Sequence, residues 1–277
     1  MTVKTKRSVR ILQYAIACVA TLTAIAPFLI VLMTSFKSAE QIYDRTQFIP
    51  SYVTLENYYR VIVGANFFNY FKNSAVVALV TTCVCMILSI MAAYGFSRFH
   101  IFGARQIRLG ILFTRMFPGI LLSVPYYSIM RGLHLTDTLT GLILIYCSFS
   151  LPFCIWNLGA FFAGIPWDIE EAAFIDGANR FQAFCRVIFP MARPGILATS
   201  LFAFIQSWDE FMFANLFITS TSKKTVQLGV YSFIGEYSTD WGGLMAAAVV
   251  SLVPVIVFFT FVQKNLVTGI TAGAVKG

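Results

Sequence analysis

Six apolar runs, each long enough to cross a bilayer, constrain this chain more than any other feature. They fall near residues 11–36, 71–96, 109–131, 139–164, 194–219 and 243–264. A helix needs about 20 apolar residues to cross the hydrocarbon core. Within lipid the backbone must satisfy its own hydrogen bonds, so each run reads as a helix. The 277 residues are 58% hydrophobic and 12% charged, where about a quarter of a soluble domain is charged. The apolar surplus lies in these runs and belongs to lipid. The expected fold is an all-α membrane protein with six transmembrane helices, a single membrane domain over residues 1–277. Pro125, Pro152 and Pro254 lie inside runs and imply kinks, with neighbouring helices compensating the lost bonds.

The first run follows Lys4, Lys6, Arg7 and Arg10. It exceeds the ~7–15 apolar residues of a signal peptide and lacks a clear cleavage site, so it reads as an uncleaved first span. Placing the N-terminus inside puts twelve Lys and Arg residues in inner segments and seven in outer ones. By the positive-inside rule both termini are then cytoplasmic. The net charge of +8 sits between apolar runs and forms no basic face with interleaved aromatics, which argues against a nucleic-acid partner. Cys18, Cys83, Cys85, Cys147 and Cys154 lie in apolar runs, where a free thiol behaves as a small hydrophobe. Only Cys185 is in a polar segment. Cys83-x-Cys85 is neither a metal nor a redox spacing, and His100 and His134 are isolated, so neither a disulfide nor a metal site is expected. The long outer segments 37–70 and 220–242 read equally as solvated connectors or as contacts with a partner.

The densest pattern of chemistry lies in an inner segment, Pro166 to Pro190. It reads as two short helices hinged at Gly177. Asp168, Glu170 and Glu171 stand in the first turns, where the helix dipole favours negative charge. Ala172 and Ala173 are small enough for a partner surface to approach the backbone. Phe174, Ala178 and Phe181 recur at helical spacing as an apolar stripe. Pro190 is expected to end the second helix and Pro194 to open the next span. On the residues alone, a docking loop and an amphipathic loop without a partner are both open.

Glu171-Ala172-Ala173, then Gly177 after three residues, then Val187-Ile188-Phe189-Pro190 after nine more, resembles the EAA signature of ABC importer permeases. Val187 and Phe189 replace that pattern's Ile and Leu and stay apolar. Phe48–Tyr58, Asn73-Ser74, Ala93–Arg98 and the tail Gly269–Gly277 are similar to segments of carbohydrate permeases, the maltose-permease-like second subunit above all. The resemblance implies a cytoplasmic coupling helix between spans four and five, with residues 166–193 as the coupling loop. Residues 268–277 would be a cytoplasmic tail. It implies that Glu170, Glu171, Ala172, Ala173, Asp176, Gly177 and Pro190 couple to an ATPase. The implied partners are a second homologous permease, an ABC ATPase dimer, an extracytoplasmic solute-binding protein and a sugar. The implied location is the inner membrane of a bacterial or archaeal cell. The chain has no G-x-x-x-x-G-K-[ST] loop; ATP and Mg would bind the partner ATPase, leaving this chain without a cofactor and without catalysis of its own.

Ionisable residues within spans are functional candidates. Gln206–Phe211 in the fifth run holds Trp208, Asp209 and Glu210. Asp209 lies about 22 Å beyond Pro194 at ~1.5 Å per residue, past the midplane. These residues could line a sugar path or make packing and gating contacts. Asn157 and Asn215 are weaker candidates, equally suited to interhelical hydrogen bonds. Arg115 reads as a structural residue snorkelling to headgroups. An ion-coupled transporter would need paired intramembrane charges and broken helices in matching halves, which only Asp209-Glu210 partly suits. An intramembrane enzyme would need converging catalytic groups, and the two histidines fall on opposite sides.

Overall fold

The computed structural model describes residues 7–44 and 46–274. Lys4, Lys6, Arg45 and Lys276 of the charge pattern, and residues 275–277 of the expected tail, lie outside them. The helices are α1 (Arg7–Ser35), α2 (Ala39–Tyr43), α3 (Glu56–Tyr59), α4 (Phe67–Arg98), α5 (Ala104–Phe113), α6 (Ser123–Gly132), α7 (Leu139–Ala163), α8 (Trp167–Ile175), α9 (Arg180–Ala183), α10 (Phe189–Trp208), α11 (Met212–Phe217), α12 (Val226–Tyr231) and α13 (Trp241–Ala274). Among the described residues there is no strand beyond an isolated bridge, Ile234 to Thr239. Five helical segments have the length and apolarity to cross a membrane, and a bent pair raises the number to six.

The third run is not one straight span. Its two halves, Ala104–Met116 and Gly119–Gly132, meet at 94°. Phe117 and Pro118 are extended, with ψ of 125° and 127°, because proline drives the preceding residue out of the helical region and donates no N–H. Pro125 produces no kink, since it lies in the first turn of α6, where its missing donor would be unpaired anyway. Pro152 and Pro254 lie inside continuous helices.

The fifth run departs from expectation at both ends. Pro190 ends no helix and Pro194 opens none. A π-turn, Phe184–Ile188, joins α9 to α10, so helix runs unbroken from Arg180 to Trp208. In that turn the Phe189 N–H reaches back five residues to the Phe184 carbonyl, a widened register that directly precedes Pro190, while Pro194 lies inside α10. The span then stops at Trp208 rather than near 219, and a non-helical step precedes α11.

The chain divides into two compact units. One comprises the residues up to Phe67 together with Val230–Leu252. Its side chains from Val9 to Ile30 on α1 are all exposed, an apolar surface left for lipid or another chain. Its long segment after α1 is held by buried amide contacts: Asn57 Nδ2 donates to the carbonyls of Ser35 (2.9 Å) and Lys37 (2.8 Å). Arg60 pairs with Asp240 at 2.8 Å.

The other unit, Phe68–Gly229 with the residues after Leu252, holds the larger cores. Leu142, Ile145, Tyr146, Phe213 and Phe217 form one apolar cluster; Leu158, Phe162, Ile188 and Ile196 form another. α7 and α10 approach closely at Gly195, where an added Cβ would lie 2.3 Å from the Phe161 ring. Asn73 and Ser74 at the start of α4 tie down the chain near 222–226: Asn73 Nδ2 donates to the Ser222 and Lys224 carbonyls, and the Val226 N–H donates to Ser74 Oγ.

Between α6 and α7, Asp137 organises a second tie. At φ 54°, its carboxylate accepts from the N–H groups of Thr219 and Ser220 (both 3.0 Å), the Ser220 hydroxyl (2.5 Å) and Lys223 Nζ (3.1 Å). The Ser220 hydroxyl, with the other donors, holds this carboxyl well below the usual carboxylate range. Because the folded value is lowered, the tie is fully formed above the unfolded value, about pH 4, and is lost only as pH falls through the folded value. The Asp137→Asn variant is therefore expected to melt lower than wild type by a constant margin between about pH 5 and 8, narrowing only in stronger acid. Thermal unfolding in detergent across pH checks this; a margin that varies near neutrality would contradict it.

Candidate functional site

Two regions of the larger unit bring the sequence's candidate residues together. The first is α8 and its surroundings. Pro166 precedes the helix in extended conformation, and Asp168 and Glu170 occupy its first turn. It ends at Gly177, whose φ of 85° is open to glycine at little cost. The Gly177 N–H donates to the Phe174 carbonyl and the Ala178 N–H to the Ala173 carbonyl, closing the helix end. Asn179 and Gln182 form a reciprocal capping box that starts α9.

The acidic pair in α8 splits. Glu170 is wholly buried. It accepts from Arg98 Nε at 2.7 Å and from the Tyr94 hydroxyl at 2.5 Å, both on the last turns of α4. Arg98 also donates to the Ile165 carbonyl at 2.9 Å and lies over the Trp167 ring at 5.6 Å. One buried node thus joins the end of α4, the short link between α7 and α8 at Ile165, and the first turn of α8. Ala173 is buried as well, so neither Glu170 nor Ala173 is on the outward face. Glu171, Ala172, Asp176 and Gly177 are exposed, as are Pro190 and the apolar Ile175 and Phe181. Trp167 Nε1 donates to Glu171 Oε1 at 2.8 Å, presenting that carboxylate at the surface.

The second region is a cavity of about 310 Å³ at the bend of the third span and the end of the fifth, at the lower end of the range for small-molecule sites. Tyr126, Tyr146, Ser150, Gln206, Glu210 and Arg115 are among its lining residues. Glu210 replaces the helix that stops at Trp208. Its Oε1 accepts from the Phe213 N–H (2.8 Å), and its Oε2 accepts from the Ala214 N–H (3.0 Å) and the Tyr146 hydroxyl (2.6 Å). The carboxylate therefore caps α11 and fastens it to α7.

Of the other proposed path residues, Trp208 is 1% exposed, stacked with Phe204 and edge-on to Phe71, so its face is covered by protein. Asp209 is exposed and accepts from Gln227 Nε2 at 3.4 Å. Asn157 donates to Thr199 Oγ1 at 2.7 Å, an α7–α10 bond. Asn215 is exposed on α11. Arg115 is exposed on the wall of the cavity, and its guanidinium lies over the Phe153 and Phe202 rings. Sequence reasoning also passed over Arg98 and Tyr146, whose acidic partners lie 72 and 64 residues away. Among the described residues no group of three or more metal-ligating side chains converges, and all six cysteines are free thiols.

Spans of membrane length and a polar cavity at two helix breaks make this a multi-pass membrane protein with polar space inside its helices. Residues 85–272 match the family described as binding-protein-dependent transport system inner membrane components, and the chain belongs to that family of non-catalytic ABC transporter permeases. It is 38% identical over 256 residues to the trehalose transport system permease protein SugB of Mycobacterium tuberculosis, covering 92% of this chain and 93% of that one. It is 34% identical over 271 residues to the trehalose/maltose transport system permease protein MalG of Thermococcus litoralis, covering 97% of each. Its fold matches, with a TM-score of 0.79 at 24% identity, a crystal structure of a bacterial ABC transporter involved in the import of the acidic polysaccharide alginate. That match covers 95% of this chain and 99% of the other.

The buried node makes an energetic prediction. Arg98→Ala and Glu170→Ala should each destabilise by about 3–5 kcal/mol, since each strands a buried charge. The double variant Arg98→Ala with Glu170→Ala should lose markedly less than the sum, because no buried charge is then left without its partner. Thermal midpoints of the purified protein provide the test, and strict additivity would show that the two groups are not coupled.

Proposed function

We propose that this chain is one of two pore-forming subunits of an ATP-driven, binding-protein-dependent importer of sugars or oligosaccharides. The observation that carries the reading is the division of labour in α8. Glu170 fastens the helix inward to Arg98 and Tyr94 of α4, and Arg98 in turn holds the Ile165 carbonyl just after α7, while Glu171, Ala172, Asp176 and Gly177 are exposed. A short helix tied rigidly to two spans, with an exposed acidic and small-residue face, suits a contact that passes motion from a motor into the membrane. In this reading residues 166–193 are cytoplasmic and dock on an ATPase subunit that binds ATP and Mg. Both termini are cytoplasmic, and residues 268–277 reach toward the same partner.

The whole chain acts as one permease domain in the inner membrane beside a second, homologous permease. The described parts of residues 37–70 and 220–242 face outward and receive the solute-binding protein, a partner named in the family's own description. The sugar class follows the relatives, whose names specify trehalose and maltose. The substrate path runs by the cavity at Glu210. There Glu210 holds the wall, and Trp208, Asp209, Asn157 and Asn215 act as packing or gating groups.

Purifying the tagged chain in mild detergent from its native membrane should recover a second permease, an ATPase and a binding protein, identified by mass spectrometry. Recovery of the chain without an ATPase would sink the proposal. The Glu171→Lys variant should lose ATPase recovery by about tenfold or more, the scale of inverting one charged interface contact, while retaining the second permease. Unchanged ATPase recovery would remove α8 from the motor contact.

A further inference from the structure

A charged side chain in a membrane span is costly and is kept for a function. Arg115 stands two residues before the Phe117–Pro118 break, on the wall of the cavity that also holds Glu210. Its guanidinium lies 5.3 Å from the centre of the Phe153 ring on α7 and 5.7 Å from that of Phe202 on α10. Contacts of this kind orient a guanidinium by its face and leave its N–H edge for a planar acceptor.

The charges in this cavity are unevenly committed. Glu210 already accepts from the Tyr146 hydroxyl and the N–H groups of Phe213 and Ala214. The ion pairs among the described residues are Arg60–Asp240, Arg98–Glu170 and Lys223–Asp137, and none of them involves Arg115. The cavity therefore presents the exposed Arg115 guanidinium, without an ion-pair partner among the described residues, beside the Gln206 amide, the Ser150 hydroxyl and a Tyr126 hydroxyl already bonded to Ser148. A guanidinium fork matches a carboxylate, sulfonate or phosphate with paired charge-assisted bonds, and the neutral groups match sugar hydroxyls.

We propose that Arg115 is a substrate-recognition residue and that the carried glycan bears an anionic group. This rests on the importer reading above and deepens it from sugar to acidic sugar.

The test uses the complete complex and its binding protein, saturating, in proteoliposomes. Labelled neutral disaccharides are set against the same disaccharides carrying a uronate, a sulfonate or a phosphate. At least one anionic member should enter, with ATP, about tenfold faster than its neutral parent or more, the scale of one charge-assisted hydrogen bond. Arg115→Gln should bring that ratio toward one, and Arg115→Lys, which keeps the charge, should hold it well above one. A structural role would slow both members alike and leave the ratio unchanged, which overturns the proposal. A wild-type ratio near one also overturns it; the guanidinium would then meet an acidic side chain of the second permease or a lipid phosphate. Should Arg115→Gln fail to assemble, the wild-type ratio and the Lys variant decide. Neutral uptake that needs ATP would leave the importer reading standing, whereas uptake that ignores ATP would remove both.

Discussion

Hydrocarbon offers no hydrogen bonds, and this chain is shaped by where its backbone can afford to leave the helix. Each departure is covered by a particular group. Where the fifth span stops at Trp208, Glu210 takes over the free N–H groups of α11. At the turn near residue 219, Asp137 accepts from two successive N–H groups. At Pro118 there is no N–H left to satisfy, because proline carries none. Two of these interruptions, at Phe117–Pro118 and Asp209–Phe211, border the same polar cavity. A break in a membrane helix is tolerable when it borders polar space or protein, so the breaks and the cavity explain one another.

The inward half of α8 follows a related logic. A carboxylate with almost no exposure needs a counter-ion and further donors. Arg98 and Tyr94 meet both needs from the last turns of α4. Arg98 then uses a second nitrogen on the Ile165 carbonyl, so three separate stretches of chain share one charge centre. The outward half of the same helix is left with Glu171, Ala172 and Asp176, all exposed. A docking contact on that face would push on a helix that cannot tilt without moving α4 and the end of α7.

Hydropathy made the spans legible because apolar length is a local property. The hinge at Gly177 was legible too, because a glycine between two short helical patterns has few other uses. The 94° bend was not, since hydropathy along the run from 109 to 131 is blind to direction; the Phe117-Pro118-Gly119 triplet was the available signal. Glu170 and Glu171 are neighbours of the same chemistry in sequence, and only folding sends one inward and the other out. Arg115 reads as a structural residue from its place in the third run, and only folding brings the Phe153 and Phe202 rings under its guanidinium. Trp208 fits a sugar platform by residue type, yet Phe71 and Phe204 already cover it.

The π-turn at Phe184–Ile188 links the helical loop to the fifth span. A wide turn holds one residue more than an α-helix would, and it can migrate along a helix by exchanging one hydrogen bond at a time. Each residue it passes is rotated by about 100° about the axis, with little change in length. The segment from Arg180 to Trp208 thereby has a swivel built into it. Pro190 and Pro194 lie just beyond the turn and have no N–H to exchange, so they bar its passage toward Trp208 and hold the swivel near the loop.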